Sequence, residues 1–167
     1  GVMVSEATAS VSDWALAGRR GRMIAMGFGG PLTGEGGQVL ICDDPFKNEQ
    51  EARSQLNRDT KYDWWRTVFE TRADFPGASI ILVMTRWHED DLAGRLLKEQ
   101  GNIKEGGEWT VISMPAESLG PEQDALQRPK GDALWPSRWP LVVLEQRKLA
   151  LGPYYYAALF QQSPQPE

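Results

Sequence analysis

The sequence predicts an α/β fold: a parallel-type sheet with flanking helices, plus a small helical subdomain towards the C-terminal end. Three observations carry this reading. Two short apolar runs, QVLIC (38–42) and SIILVM (79–84), are rich in branched residues. Unbroken apolar runs of that length fit strands buried on both faces, as in parallel sheets. Helical stretches separate and follow them, and strands alternating with helices give a sheet with helices on both faces. Finally, Pro140 and Pro153 each open a helical stretch, with Gly152 between them, matching the preference for proline at a helix start and glycine past its end.

The elements follow in order. RMIAMGF (22–28) reads as a strand, and GFGGPLTGEGG (27–37) as a glycine-rich turn between strands. After QVLIC, Asn48 fits a helix N-cap, with Glu51 three residues on as its capping-box partner. Ala52 and Leu56 continue at helical spacing. A second helical stretch places Trp65, Val68 and Phe69 on one face and ends at Pro76–Gly77. After SIILVM, the acids Glu89, Asp90 and Asp91 are expected in a first helical turn, where the helix dipole favours anions. Leu92 and Leu96 supply the core face of that helix. EWTVISM (108–114) is a third candidate strand, residues 115–139 read as loop, and two helices, about 140–152 and from 153 through YYYAALFQQ, follow.

Composition narrows the class. The chain has 167 residues, 41% hydrophobic and 25% charged, an ordinary globular profile with enough length to bury a core. No apolar run approaches the ~20 residues needed to span a bilayer, and the first thirty residues do not read as a signal peptide. The single cysteine, Cys42, excludes an internal disulfide and fits a reducing cytoplasm. It reads as strand packing rather than a nucleophile. A formal net charge of −5 and a pI near 5.0 argue against a surface coated for nucleic acid. The cluster Arg19, Arg20 and Arg22 reads as a solvated edge.

The chemistry centres on CDDPFKN (42–48). An apolar strand ending in two adjacent carboxylates raises a physical problem, because neighbouring like charges repel. A divalent cation resolves it. In the Walker B arrangement the first carboxylate, here Asp43, helps hold Mg²⁺. The second, Asp44, orients or deprotonates the water that attacks a γ-phosphate. Ligands of open α/β sheets bind beyond the carboxyl ends of the strands, where Asp43, Asp44 and, after SIILVM, Thr85 lie. If the two strands are neighbours, the carboxylates and the hydroxyl meet. The partner Walker A loop, G-x-x-x-x-G-K-[ST], is absent from the sequence. The expected fold is therefore P-loop NTPase-like but incomplete.

Several segments then carry a family resemblance. LTGEGGQVLICDDPFKNEQEARS, Trp65 and Arg72, ILVMTRWHEDDLAGRLL, MPAES, GDALWPSRWP and LGPYYYAALFQQSPQP together resemble, in order and spacing, the large terminase subunit of tailed bacteriophages. The resemblance runs from about residue 20 to the end. It implies a portion of the DNA-packaging ATPase, with Asp43 and Asp44 as Walker B acids and Thr85 as the coupling residue that senses the γ-phosphate. It implies ATP and Mg²⁺ as cofactors of the complete protein. The implied partners are double-stranded DNA, the portal and the small terminase subunit, in a homo-oligomer in the cytoplasm of a bacterial host. Residues 1–114 would be the later part of the ATPase core and 115–167 the small second subdomain leading towards a nuclease. Without a Walker A segment, this chain alone is expected to lack catalytic competence.

Other residues have plainer readings beside functional ones. Arg86 and Arg72 could contact phosphate as arginine fingers, or pair with the acidic excess. Lys47 could neutralise the carboxylate pair. His88 with Glu89, Asp90 and Asp91 is poor metal geometry, because consecutive helical positions diverge. Trp64 and Trp65 could stack on bases or pack the core, and Tyr154–Tyr156 read as packing of the last helix. Two further classes stand against the motor: a non-catalytic module that binds terminase or DNA, and a metal-dependent nuclease using Asp43, Asp44 and the acids 89–91. The nuclease is disfavoured because the carboxylate pair already has a place in the ATPase reading.

Overall fold

We describe a computed structural model, in which residues 3–30, 32, 34–74 and 76–166 are defined. The chain divides into two compact units, Gly1–Glu35 and Gly36–Glu167. The division expected near residue 115 falls inside the second.

The first unit is an antiparallel meander of β1 (Val4–Ala9), β2 (Asp13–Leu16) and β3 (Arg22–Ile24). The sequence reading missed its first two strands and overextended the third, which stops at Ile24 rather than Phe28. Asp13 lies in register with Ile24. Its carboxylate takes a two-pronged hydrogen bond from Arg22 at 2.8 Å, and Arg22 also reaches Glu35 at 3.2 Å. Pairing across the strands, rather than a buried apolar face, therefore defines this unit. Two residues of the expected turn, Pro31 and Thr33, lie outside the described residues.

The second unit is mixed α/β. Its sheet has two parallel strands, β4 (Val39–Asp43) and β5 (Ser79–Val83), in register from Val39 opposite Ser79 to Asp43 opposite Val83. Between them run α1 (Glu49–Arg53) and α2 (Gln55–Trp64), then a π turn (Trp65–Phe69) and a 3₁₀ turn (Glu70–Arg72). After β5 come α3 (Leu92–Gln100) and α4 (Leu141–Leu159). Gly152 breaks α4 with φ 76° and ψ 165°, so the two expected helices are present on either side of that residue.

Three expectations need correction. Residues 108–114 form no strand; only Trp109 makes an isolated bridge, to Asn102. The acids 89–91 precede α3 instead of lying in its first turn, with Asp91 as the N-cap. The strands are also not buried on both faces. Leu40 and Cys42 face the core, but Val39 (59% exposed), Ile41 (60%), Ile81 (43%) and Val83 (51%) form an open apolar face. Strict alternation of burial in β4 is the pattern of a sheet covered on one side.

The covered side packs against helices. Asn48 caps α1 through its Oδ1, which accepts the Glu51 N–H at 2.9 Å. Glu51 reaches back to the Lys47 N–H, one residue earlier than in the usual capping box. Ser54 ends α1 and caps α2. That restart rotates the helix face and leaves Leu56, expected in the apolar stripe, 74% exposed. Trp65 and Phe69 are buried as expected, with ring centroids 4.8 Å apart. The Trp65 indole N–H is buried without an acceptor, at a cost of about 1–3 kcal/mol that the burial of a large aromatic surface offsets.

Ion pairs fix the segment ahead of α3. Asp91, with no exposed surface, caps α3 by accepting the Gly94 N–H at 2.9 Å and takes the Arg86 Nε on both oxygens. Burial pushes the Asp91 carboxyl above its ordinary range, opposed by the Arg86 charge. Asp90 is held by Arg95 at 2.7 Å and Arg58 at 3.0 Å. Arg58 also donates to the carbonyls of Ala52 and Arg53, satisfying the end of α1. Hydrogen bonding to Arg95 holds Asp90 below the usual carboxylate range.

Two measurements test this architecture. A Cβ at Gly94 would stand 1.8 Å from the Glu89 carbonyl oxygen, so Gly94→Ala should cost about 3 kcal/mol or more in urea unfolding. Asp90→Asn should cost about 1 kcal/mol at pH 7, modest because the carboxylate is partly exposed. Because folding lowers the Asp90 pKa, its contribution is complete above the unfolded value of about 3.9 and is lost as pH falls through the folded value. The wild-type and Asp90→Asn unfolding curves should therefore converge in acid.

Candidate functional site

The site sits at the carboxyl end of the parallel pair. The register sets Asp43 opposite Val83, so Thr85 follows two residues beyond the same end. The Asp44 N–H donates to the Val83 carbonyl at 2.9 Å, extending the ladder by one bond. Asp44 then turns into the left-handed region, with φ 41°. Aspartate tolerates that conformation better than most residues, and Pro45 follows it. The turn aims the Asp44 carboxylate across the strand ends, where Oδ1 accepts the Thr85 backbone N–H at 3.0 Å.

This bond eases the problem posed by the adjacent carboxylates. Asp43 continues the exposed face of β4, on the side of Val39 and Ile41. Asp44 leaves the strand and is tied to the neighbouring chain end. Asp43 has no hydrogen-bond or ion-pair partner among the described residues. Cys42, on the opposite side of the strand, is buried, and burial followed by the Asp43 charge pushes its thiol up to about 11. It stays protonated near neutrality, in keeping with packing rather than nucleophilic chemistry.

A polar depression of roughly 360 Å³ follows directly in the chain, lined by Lys47, Asn48, Gln50, Glu51, Ser54 and Asn57. Glu51 bridges it to the core through Lys61 at 3.2 Å. Burial alone would raise the Glu51 carboxyl, but the Lys47 N–H and the Lys61 charge hold it below its ordinary range.

The structure places the other sequence candidates as follows. The Arg86 Nε is committed to Asp91, so any phosphate contact falls to its Nη nitrogens. The Arg72 Nε donates to the Val68 carbonyl. His88 Nδ1 accepts the Asp90 N–H, a loop bond. Tyr154 and Tyr155 pack around Arg53, and the Tyr155 hydroxyl donates to Glu49 at 2.7 Å. The sequence reading did not anticipate the Asp44–Thr85 bond or the left-handed turn behind it. The Asp-Pro pair was the available signal, because it favours a turn directly after a strand.

No group of three His, Cys, Asp or Glu among the described residues could hold a metal by itself. Mg²⁺ needs less: one or two carboxylates, with waters and phosphate oxygens completing the shell. The residues here that could supply such carboxylates are Asp43, unpartnered among the described residues, and Asp44 through its Oδ2. No helix among the described residues is long and apolar enough to cross a membrane. In comparisons with known proteins, the chain matches no family model and no curated protein.

Two substitutions separate shape from charge at Asp44. Asp44→Asn keeps both an acceptor oxygen and tolerance of positive φ, so thermal unfolding should stay close to wild type. Asp44→Ala loses the acceptor and strains the backbone, and should cost about 2 kcal/mol.

Proposed function

We propose that this chain is the Walker B and coupling portion of a phage large-terminase ATPase, whose complete activity is Mg²⁺-dependent ATP hydrolysis coupled to movement of double-stranded DNA. The observation that supports it best is the strand-end geometry. Two acids end one strand, a threonine follows its parallel neighbour, and one hydrogen bond joins them.

In this reading Asp43 and Asp44 would hold Mg²⁺, which supplies charge neutralisation at a transferring phosphoryl group. Asp43 presents a free carboxylate. Asp44 carries the mechanical link: any shift of its carboxylate pulls on the Thr85 N–H, and so on the segment leading through Arg86 to the cap of α3. Among the described residues, the Arg86 Nη nitrogens would contact phosphate beside the ion that the carboxylates hold. The portal, the small terminase subunit and a homo-oligomeric assembly belong to the same proposal.

A second reading, a non-catalytic interaction module, draws on the open apolar face of Val39, Ile41, Ile81 and Val83, since contiguous exposed apolar surface marks interaction sites.

Isothermal titration with Mg²⁺ and a non-hydrolysable ATP analogue decides between them. Saturable heat in the wild type, weakened at least about tenfold in Asp43→Ala (1.4 kcal/mol or more), supports the nucleotide site. No saturable heat in either protein favours the module.

A further inference from the structure

Residues 109–114 have strand composition but no ladder, and this leaves a row of backbone groups without partners. The segment runs from Thr110 to Pro115 without a turn or bend. The N–H and C=O groups of Thr110, Val111, Ile112 and Ser113 have no hydrogen-bond partner among the described residues. The side chains are equally open: Val111 is 39% exposed, Ile112 68% and Met114 42%. Val111 and Ile112 are neighbours, and neighbours point to opposite sides of an extended chain, so both sides are uncovered. Thr110, Val111 and Ile112 are all β-branched, the type that favours extended backbone.

Both ends of the segment are fixed. At its start, the Trp109 carbonyl accepts the Ile103 N–H at 2.8 Å, and the Trp109 N–H donates to the Gly101 carbonyl at 3.0 Å. The Trp109 ring centroid lies 6.1 Å from that of the buried Trp65. At its end, Gln162 Oε1 accepts the Met114 N–H at 2.9 Å and the Ser113 hydroxyl at 3.0 Å. The Ala116 N–H donates to the Phe160 carbonyl at 2.7 Å, and Pro115 is fully buried. A segment held at both ends has already lost chain entropy that strand pairing would otherwise cost.

We infer that residues 110–114 are a docking strand for an extended apolar peptide with a basic flank, taken up by β-augmentation. The free backbone groups set the shape of the occupant, because another extended backbone is what pairs them in a row. The charges set its flank. Residues 105–127 contain Glu105, Glu108, Glu117, Glu122 and Asp124 and no Lys or Arg. Glu117 takes the Tyr156 hydroxyl and Asp124 pairs with Arg128. The Glu105 and Glu108 carboxylates, just ahead of the segment in the chain, have no partner among the described residues, and Lys104 beside them pairs with neither. A second copy of the segment would bring the same unpaired acids, and like charges across strands are destabilising. The inference does not depend on the nucleotide site.

The test is fluorescence anisotropy of two labelled peptides, KKTVTVT and TVTVTKK, titrated with the full chain; they present the basic flank for either strand direction. One of them should bind saturably. The same peptide with N-methylated valines lacks backbone donors and should bind about tenfold more weakly. Glu108→Gln should weaken the lysine peptide about threefold. A peptide pairs along one edge, engaging the N–H groups of either Thr110 and Ile112 or Val111 and Ser113. Ile112→Pro and Val111→Pro each remove one N–H that no intramolecular bond uses, and proline keeps the preceding residue extended. One of the two should abolish binding, with thermal unfolding close to wild type. Hydrogen exchange reads the same contact without a variant: the amides of residues 110–113 should exchange freely in the chain alone, and the paired ones should slow when peptide is added. Asp43→Ala should bind the peptide as the wild type does, so failure of the nucleotide reading and failure of this one are distinguishable. The inference is overturned if neither peptide binds saturably, if both proline variants bind like wild type, or if the amides of 110–113 do not slow. It is equally overturned if the N-methylated peptide, or one with Glu in place of Lys, binds as tightly. Sedimentation overturns it too if the chain self-associates and either proline variant abolishes that association, since a second copy then covers the segment.

Discussion

The second unit depends on one junction, the parallel pairing of β4 with β5 and its closure by Asp44. Two parallel strands alone make a marginal sheet. Here the ladder gains a further bond, from the Asp44 N–H to Val83, and then a side-chain bond from Asp44 to the Thr85 N–H. The left-handed turn at Asp44 costs on the order of 1–2 kcal/mol for a residue with a Cβ, and the bonds it permits offset that cost. A strained backbone persists only where its surroundings over-determine it, and here they do so at the carboxyl ends of the strands, where ligands of α/β sheets bind.

The junction is anchored to the helices by charge as much as by apolar packing. From Thr85 the chain runs directly into Arg86, which clamps Asp91 at the start of α3. Asp90, one residue earlier, ties Arg95 of α3 to Arg58 of α2, and Arg58 closes the end of α1. Both neighbouring carboxylates are ion-paired, yet their pKa values move in opposite directions. Asp91 is fully buried, so desolvation dominates and raises it. Asp90 keeps solvent contact, so hydrogen bonding dominates and lowers it. Breaking the buried pair would strand an uncompensated charge, whereas the exposed pair contributes modestly. Gly94 completes the arrangement, because only a residue without a Cβ allows the Glu89 carbonyl to approach α3 so closely.

Local signals were legible in the sequence where a single residue decides the structure. The Asn48 cap, the burial of Trp65 and Phe69, the break at Gly152 and both parallel strands follow from side-chain chemistry or period. Signals that depend on tertiary partners were not. QVLIC and SIILVM look alike on both faces, so apolarity could not reveal that Val39 and Ile41 stay open while Leu40 and Cys42 are covered. EWTVISM has strand composition, but its backbone finds no ladder beyond the Trp109 bridge. Ser54 restarts the helix and turns Leu56 outward, a rotation invisible to spacing that assumes one continuous helix. The sequence placed Asp43, Asp44 and Thr85 at the ends of what prove to be neighbouring strands, but it could not show that the two acids diverge or that Thr85 meets Asp44 through its backbone N–H rather than its hydroxyl.

That divergence bears on how such a pair could work. If both carboxylates faced one ion, their repulsion would be relieved only when the ion was present. With Asp44 turned to accept a backbone N–H, the pair is tolerable without the ion, and only Asp43 remains unpartnered. One hydrogen bond thus joins the end of β4 to the segment after β5. The coupling is short: one carboxylate, one N–H, then the Arg86–Asp91 clamp and α3. It requires no long-range pathway, because each link is a direct contact between neighbours. The same junction that stabilises a minimal parallel sheet thus connects the end of β4 to α3 through direct contacts.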